Sequence, residues 1–409
     1  MKKTVFIFSI LVLTTSNLLS QKSDSDFSNK VDSGYVNVDG GKLFYEVAGE
    51  GEYIVLLHDG IVHREIWENQ FPVLAKKYKV LRYDRRGYGK SNYPQAPFSH
   101  IDDLNQLLVQ LKINNAIIFG MSGGGELAID FTLKYPEKVT GLVLVGAVVS
   151  GYGASSHMLT RGGRVDSLVN LLFKPQKLLE YITWEDPYEI YPENRKAKEI
   201  FYKLLKANPN DLNFQREYFV QPAERPAVKF LSEIKVPVLA LVGEYDMPDI
   251  HANAGVIEVG IPNAKREIIF KSGHLIPLEQ SEAFNAAVLK FLKSMEFFNI
   301  LNSRGVSAAV QYFNSKRESE PNIILFDESE MNTLGYRFLQ DGKIKDAIEL
   351  FKLNTFAYPE SGNVYDSLGE AYLKDDQTDL AIKNYEKSLK LDSNNSNANQ
   401  VLKKLKEGK

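Results

Sequence analysis

Ser122 stands in Gly120-Met121-Ser122-Gly123-Gly124, a Gly-x-Ser-x-Gly pattern. An apolar, strand-like run (residues 115–119) precedes it and a helix-like stretch (residues 126–133) follows. Small residues let strand and helix close up, the turn is strained, and the hydroxyl is held out over the sheet edge. A serine hydroxyl is a poor nucleophile at neutral pH and needs a neighbouring base. Of six histidines, only His274, in Ser272-Gly273-His274-Leu275-Ile276-Pro277, lies beyond the last strand-like run. A carboxylate is needed to fix its tautomer and stabilise its imidazolium. Asp246 closes the hydrophobic run Leu241-Val242-Gly243-Glu244-Tyr245-Asp246, with Glu244 and Asp249 as rivals. The chemistry of such a set is acyl transfer through a covalent acyl-enzyme.

The order serine, acid, histidine is that of the α/β-hydrolase fold, and residues 31–293 resemble that family. Asp84-Arg85-Arg86-Gly87-Tyr88-Gly89-Lys90-Ser91 is similar to the family's Asp-x-Arg-Gly-x-Gly-x-Ser. The resemblance favours Asp246 over its rivals through Gly-x-x-Asp spacing. It implies an Asp/Arg tie within the Asp84 motif and places Trp67 near the site entrance. It also implies two backbone donors for an oxyanion, one from Gly123 and one from the loop at Leu56-Leu57-His58-Asp59-Gly60-Ile61. Most relatives read His-Gly there, whereas this chain reads His-Asp-Gly, so Gly60 and Ile61 both remain candidates for the second donor. The Asp59 carboxylate is expected to turn away from the pocket, and His58 to act as a structural hydrogen-bonder.

The elements that must position these residues are legible as near-continuous apolar runs. A strand pair flanks Asp39-Gly40-Gly41, and further strands are predicted at 53–57, 79–83, 116–119, 140–145, 236–242 and 266–270. Alternation of strands with helical stretches points to an α/β, doubly wound, mostly parallel sheet. The gap between Val145 and Val236 far exceeds a normal connection. Its helical periodicity (Leu168, Leu171, Leu172, then Leu178, Leu179) predicts a helical cap at about 147–233 over the site, the alternative being a decoration away from it.

From about residue 321 the pattern changes. Leu334-Gly335, Phe338, Ala347, Phe351 and Pro359 recur 34 residues later as Leu368-Gly369, Tyr372, Ala381, Tyr385 and Ser393. This resembles tetratricopeptide repeats, in which small residues sit where two helices cross and aromatics fill the seam. Two repeats are few for a self-sufficient array, so the helix near residues 306–312 is expected to add a half-repeat, or the array to dock on the preceding domain. The predicted division is a signal peptide at 1–20, a hydrolase domain at 31–298, a connecting helix at 299–320 and an all-α repeat segment at 321–409.

Composition sets the outer limits. The chain has 409 residues, 44% hydrophobic and 25% charged, with a net charge of −3. A near-neutral chain gives no electrostatic case for nucleic acid or an anionic membrane surface. Lys2-Lys3 followed by an apolar run over residues 5–13 has the layout of an export signal. Export to the periplasm or medium is the expectation, with no stable membrane insertion of the mature chain. There is no cysteine, hence no disulfide and no thiol ligand. The histidines lack paired helical spacing and the glycines around Ser122 lack a phosphate-loop pattern, so neither a metal nor a cofactor is expected. His63, His157 and His251 are read as surface or pocket-lining.

Together these features predict an exported serine hydrolase acting on an ester or lactone of a small to medium, partly apolar substrate. Carbon–carbon or amide hydrolysis on the same three residues is one alternative. A catalytically silent scaffold whose segment 321–409 binds a protein partner is the other.

Overall fold

A computed structural model describes residues 31–407. The predicted signal peptide lies outside the described residues. Eight strands form one sheet: β1 (Asp32–Val38), β2 (Gly41–Ala48), β3 (Tyr53–Leu57), β4 (Lys79–Tyr83), β5 (Ala116–Met121), β6 (Val139–Val145), β7 (Val238–Gly243) and β8 (Ala264–Ile269). Their spatial order is β1-β2-β4-β3-β5-β6-β7-β8. Pairing is antiparallel for β1–β2 and β2–β4 and parallel from there onward. Strand β8 begins earlier than its apolar pattern suggests and leaves Phe270 outside, 71% exposed at the sheet edge.

Alternate side chains along the central strands enter two separate cores, as a period of two requires. Ile54, Leu56, Ile117, Phe119 and Val143 point to one face, which Trp67, Phe284, Val288 and Leu292 cover. Val55, Leu57, Ile118 and Leu142 point to the other, beneath Leu104, Leu107 and Leu108 of the His100–Gln110 helix and Leu127 and Phe131 of the Gly123–Lys134 helix. Each fully buried side chain of this size contributes roughly 1.5–3 kcal/mol of transfer free energy. Burial on both faces is why β5 and β7 read as unbroken apolar runs.

The long segment between β6 and β7 is helical: Ser156–Thr160, Leu168–Leu172, Pro175–Glu180 and Arg195–Ala207, with short turns between them. Leu178, Leu179, Ile182, Phe201 and Leu205 join the core on the Trp67 face, which fixes the insertion against the sheet.

The Ser281–Arg304 helix runs unbroken through residue 298, where the sequence pattern places the end of the hydrolase domain. Its first half packs Phe284 and Val288 into the sheet's core. Its last turns put Phe297 and Leu301 into a second core with Val306, Phe313, Leu325, Phe326 and Met331. Beyond it lie six more helices: Val306–Ser319, Glu328–Gln340, Ile344–Ala357, Gly362–Lys374, Thr378–Leu391 and Ser396–Glu407. Successive helices touch where glycine admits an aromatic ring. A Cβ on Gly335 would fall 2.6 Å from the Phe351 ring, and one on Gly369 3.2 Å from Tyr385. Lys265 of β8 bridges to Asp327 (2.8 Å) and Glu330 (2.9 Å), linking the sheet edge to the start of the Glu328–Gln340 helix.

Candidate active site

Ser122 sits between β5 and the Gly123–Lys134 helix at φ 52°, ψ −117°. This is a left-handed backbone forced on a residue with a Cβ, and it stores strain. Three neighbours explain how the turn closes. A Cβ on Gly120 would lie 2.4 Å from the Gly124 carbonyl oxygen, one on Gly124 2.3 Å from that of His58, and one on Gly125 2.4 Å from the Ala147 side chain. The Ser122 N–H donates to Val145 O (2.8 Å), fixing the serine beside the end of β6.

The next residue, Gly146, faces the other two candidates. A side chain there would strike His274 Nδ1 (2.9 Å) and Asp246 Oδ2 (3.2 Å). His274 Nδ1 donates to Asp246 Oδ2 at 2.9 Å, and both residues are buried. The rivals point elsewhere. Glu244 is exposed and accepts the Lys271 N–H, while Asp249 accepts the Ser155 N–H. The cap reaches this point directly: the His274 N–H donates to the carbonyls of Tyr188 (2.9 Å) and Glu189 (3.0 Å). The insertion therefore packs against the His274 loop.

The loop after β3 supplies the facing wall. Asp59 Oδ1 accepts the N–H groups of Ile61 and Val62, both at 2.6 Å, so its carboxylate folds back onto its own loop. That engages the Ile61 N–H, whereas Gly60 N lies 3.8 Å from the Cβ position of Gly123. His58 Nδ1 donates to Asp59 O (2.9 Å) and its Nε2 accepts the Arg85 N–H (2.9 Å), a structural role.

Comparison with known proteins decides the family. Residues 53–281 match the family described as alpha/beta hydrolase fold. This chain belongs to the α/β-hydrolase family. It is 31% identical to 2-hydroxy-6-oxononadienedioate/2-hydroxy-6-oxononatrienedioate hydrolase of Burkholderia vietnamiensis, over 64% of this chain and 96% of that one. It is 29% identical to the corresponding hydrolase 2 of Pseudomonas putida, over 67% of this chain and 98% of that one. Among solved structures, Est816, described as an N-acyl homoserine lactone degrading enzyme, superposes with a TM-score of 0.53 at 26% identity, covering 63% of this chain and all of that one.

In this hydrolase the site is rich in acid. Burial opposes a charge on His274, but the attraction and hydrogen bond of Asp246, with Glu189 and Asp59 adding, outweigh it and raise its pKa above the ordinary value. Glu189, from the cap, is 2% exposed, and its Oε1 has no hydrogen-bond partner. Burial pushes its pKa up to about 8. Arg161, the nearby cation, is committed to Asp186 (Nε to Oδ2, 2.9 Å) and stands 3.9 Å from Glu189. Glu279 braces the His274 loop by accepting the N–H groups of Gly273 (2.9 Å) and Tyr191 (2.7 Å). Glu189, Arg161 and Glu279 carry no motif, so no signal in the sequence marks them. Among the described residues, no cluster of histidine, aspartate and glutamate is arranged to hold a metal ion, and no helix is long and apolar enough to cross a membrane.

Three expectations need correction. The Asp and Arg of the Asp84 motif are not tied to each other: Asp84 holds Arg64 (2.9 Å), while Arg86 holds Asp103 (2.6 Å). Both ties link the loop to other elements, which spacing alone cannot show. Trp67 is fully buried against Phe284 in the core rather than lining an entrance. His63 is neither surface nor pocket-lining. It is buried with Asp211 at 2.6 Å, and that partner, overcoming burial, raises its pKa to about 9.

Proposed function

We propose that this chain is a serine hydrolase cleaving an uncharged ester or lactone of a small to medium, partly apolar acid. The observation that carries the reading is the 2.9 Å His274–Asp246 bond beside the strained Ser122 turn. Ser122 Oγ attacks the acyl carbon and passes its proton to His274 Nε2, while Asp246 holds Nδ1–H and the imidazolium. The oxyanion is met by the N–H groups of Gly123 and Gly60. His274 then protonates the leaving oxygen. A water, deprotonated by the same nitrogen, releases the acid from Ser122.

A second reading is favoured by the relatives' names. A 2-hydroxy-6-oxo-dienedioate has no ester or amide, so its hydrolysis breaks a carbon–carbon bond beside the ketone. Against a dianionic substrate stands the local charge: Asp246 and Asp59 act on His274, burial keeps Glu189 protonated rather than free to pair, and Arg161 is already paired with Asp186. A substrate carboxylate entering beside Glu189 would find Arg161 already engaged. We place export, through residues 1–20, and tetratricopeptide-like packing of residues 321–409 in the same proposal. The 34-residue recurrence and the matching Gly335–Phe351 and Gly369–Tyr385 contacts support the latter.

The test is turnover of p-nitrophenyl esters, uncharged lactones and 2-hydroxy-6-oxo-dienoates with and without a terminal carboxylate, by wild type and Ser122→Ala. Hydrolysis of esters or lactones, lost in Ser122→Ala, is expected. Exclusive turnover of the dienedioate overturns the ester reading, and turnover by Ser122→Ala overturns the nucleophile. Secretion is checked by the N-terminus of the protein recovered from the producing cell's exterior, with an intact Met1 in the cytoplasm as the contrary result.

A further inference from the structure

We infer that Arg85 is a positioning residue that polarises the oxyanion donor. The Asp59–Gly60 peptide supplies that donor at one end, the Gly60 N–H, and carries the Asp59 carbonyl at the other. Arg85 Nη2 donates to that carbonyl in a short bond, and His58 Nδ1 donates to it at 2.9 Å. A peptide is one conjugated unit. Donors on its oxygen draw electron density from nitrogen and strengthen the N–H as a donor, and a charged donor does so most. The structure makes this arrangement deliberate in three ways. His58 Nε2 accepts the Arg85 N–H, which fixes the tautomer whose Nδ1 carries the proton. Arg85 is 5% exposed, and its Nε has no hydrogen-bond partner, so the guanidinium is buried for few local bonds. The carbonyl of the next peptide, Gly60 O, is clamped by Tyr88 Oη (2.8 Å) and Arg216 Nη2 (3.1 Å), which anchors the loop just after the donor.

The guanidinium also reaches the second donor, with Nη2 3.9 Å from the Cβ position of Gly123. A single buried cation thus lies close to both residues that supply the N–H groups. It favours the negative charge that develops between them and does not touch the reacting atoms. Because it acts on a charge absent from the bound substrate, its effect falls on kcat rather than on KM.

This inference rests on the serine hydrolase reading. The test uses the full chain with p-nitrophenyl butyrate as substrate and an alkyl trifluoromethyl ketone, whose serine adduct carries an oxyanion, as inhibitor. Arg85→Gln is expected to lower kcat roughly 10-fold and to raise the inhibitor's Ki by the same factor, with KM within about twofold of wild type. Arg85→Lys, which keeps the charge and one donor, is expected to fall between the two. A higher KM at unchanged kcat, or a lower kcat with Ki unmoved, overturns the inference and reduces Arg85 to a structural brace. If Arg85→Gln does not fold, Arg85→Lys carries the test through the same parallel shift of kcat and Ki, and an unshifted kcat overturns it. Ser122→Ala separates the two levels: turnover in that variant overturns the serine reading itself, while an inert Ser122→Ala beside an unaffected Arg85→Gln overturns only the role of Arg85.

Discussion

Asp246 and Glu189 act on the same imidazole in different ways, and substitution separates them. Asp246→Asn keeps the shape but donates a hydrogen bond where His274 Nδ1–H needs an acceptor, so the wrong tautomer is favoured. A fall in kcat of about 10⁴-fold with an intact fold is expected. A loss under tenfold in steady-state kinetics, set against that order of magnitude, would remove Asp246 from the role. Glu189 bears on pH. Its folded pKa is raised to about 8 by burial, so the native state holds a proton that the unfolded chain gives up near 4.5. Its contribution is complete below the unfolded value and is lost as pH rises through the folded one. Glu189→Gln cannot ionise. The variant should match wild type near pH 5 and exceed it near pH 8 in thermal unfolding. An equal difference at both pH values would show that the carboxyl stays ionised. The raised His274 pKa has a kinetic counterpart. Catalysis needs the neutral imidazole, so the acid limb of kcat/KM should lie above the ordinary histidine range and move downward in Glu189→Gln.

At the scale of elements, the turn around Ser122 is a matter of backbone clearance. Gly123 meets nothing closer than 3.8 Å, whereas a Cβ on Gly124 would collide with the carbonyls of His58 and Leu57 at 2.3 and 2.6 Å. Gly123→Ala should therefore fold normally. Gly124→Ala should lose several kcal/mol or fail to fold, since strand and helix must separate and overpacking alone costs roughly 1–3 kcal/mol. Circular dichroism melts of the two variants check the contrast. The repeat-like helices obey the same rule. Gly335→Ala places a methyl 2.6 Å from the Phe351 ring and should destabilise that helix pair while leaving hydrolysis untouched.

Across the whole molecule, the helices after residue 321 are joined to the hydrolase by a shared core. Leu325, Phe326, Met331, Leu350 and Leu353 cover Phe297, Leu301 and Phe313 of the two preceding helices. Deleting residues 321–409 would expose that surface, so the truncated chain should melt lower and self-associate on size-exclusion chromatography. Its specific activity per folded molecule should stay near that of wild type, because Ser122 and Asp246 follow the C-terminal ends of β5 and β7, whereas the deleted segment reaches the sheet near the start of β8, at Lys265. Unchanged solubility and melting would instead show two independent units. The Lys265 bridges add little to the joint, since partly exposed pairs are worth about 0–1 kcal/mol.

The sequence by itself determined the fold of the hydrolase part, the serine turn, the order of Ser122, Asp246 and His274, and the boundaries of most strands. These are local signals: glycines where a Cβ cannot fit, apolar runs buried on both faces, and turn residues at strand ends. Only the tertiary structure paired Asp246, rather than Glu244 or Asp249, with His274, and engaged the Ile61 N–H with Asp59, because both turn on which side chain faces its neighbour at the sheet edge. It alone placed Arg85 under the Asp59–Gly60 peptide, brought Glu189 from the cap to the site, and gave Asp84 and Arg86 partners elsewhere. Those contacts join residues from 17 positions apart (Arg86–Asp103) to 85 apart (Glu189–His274), and no spacing along the chain encodes them.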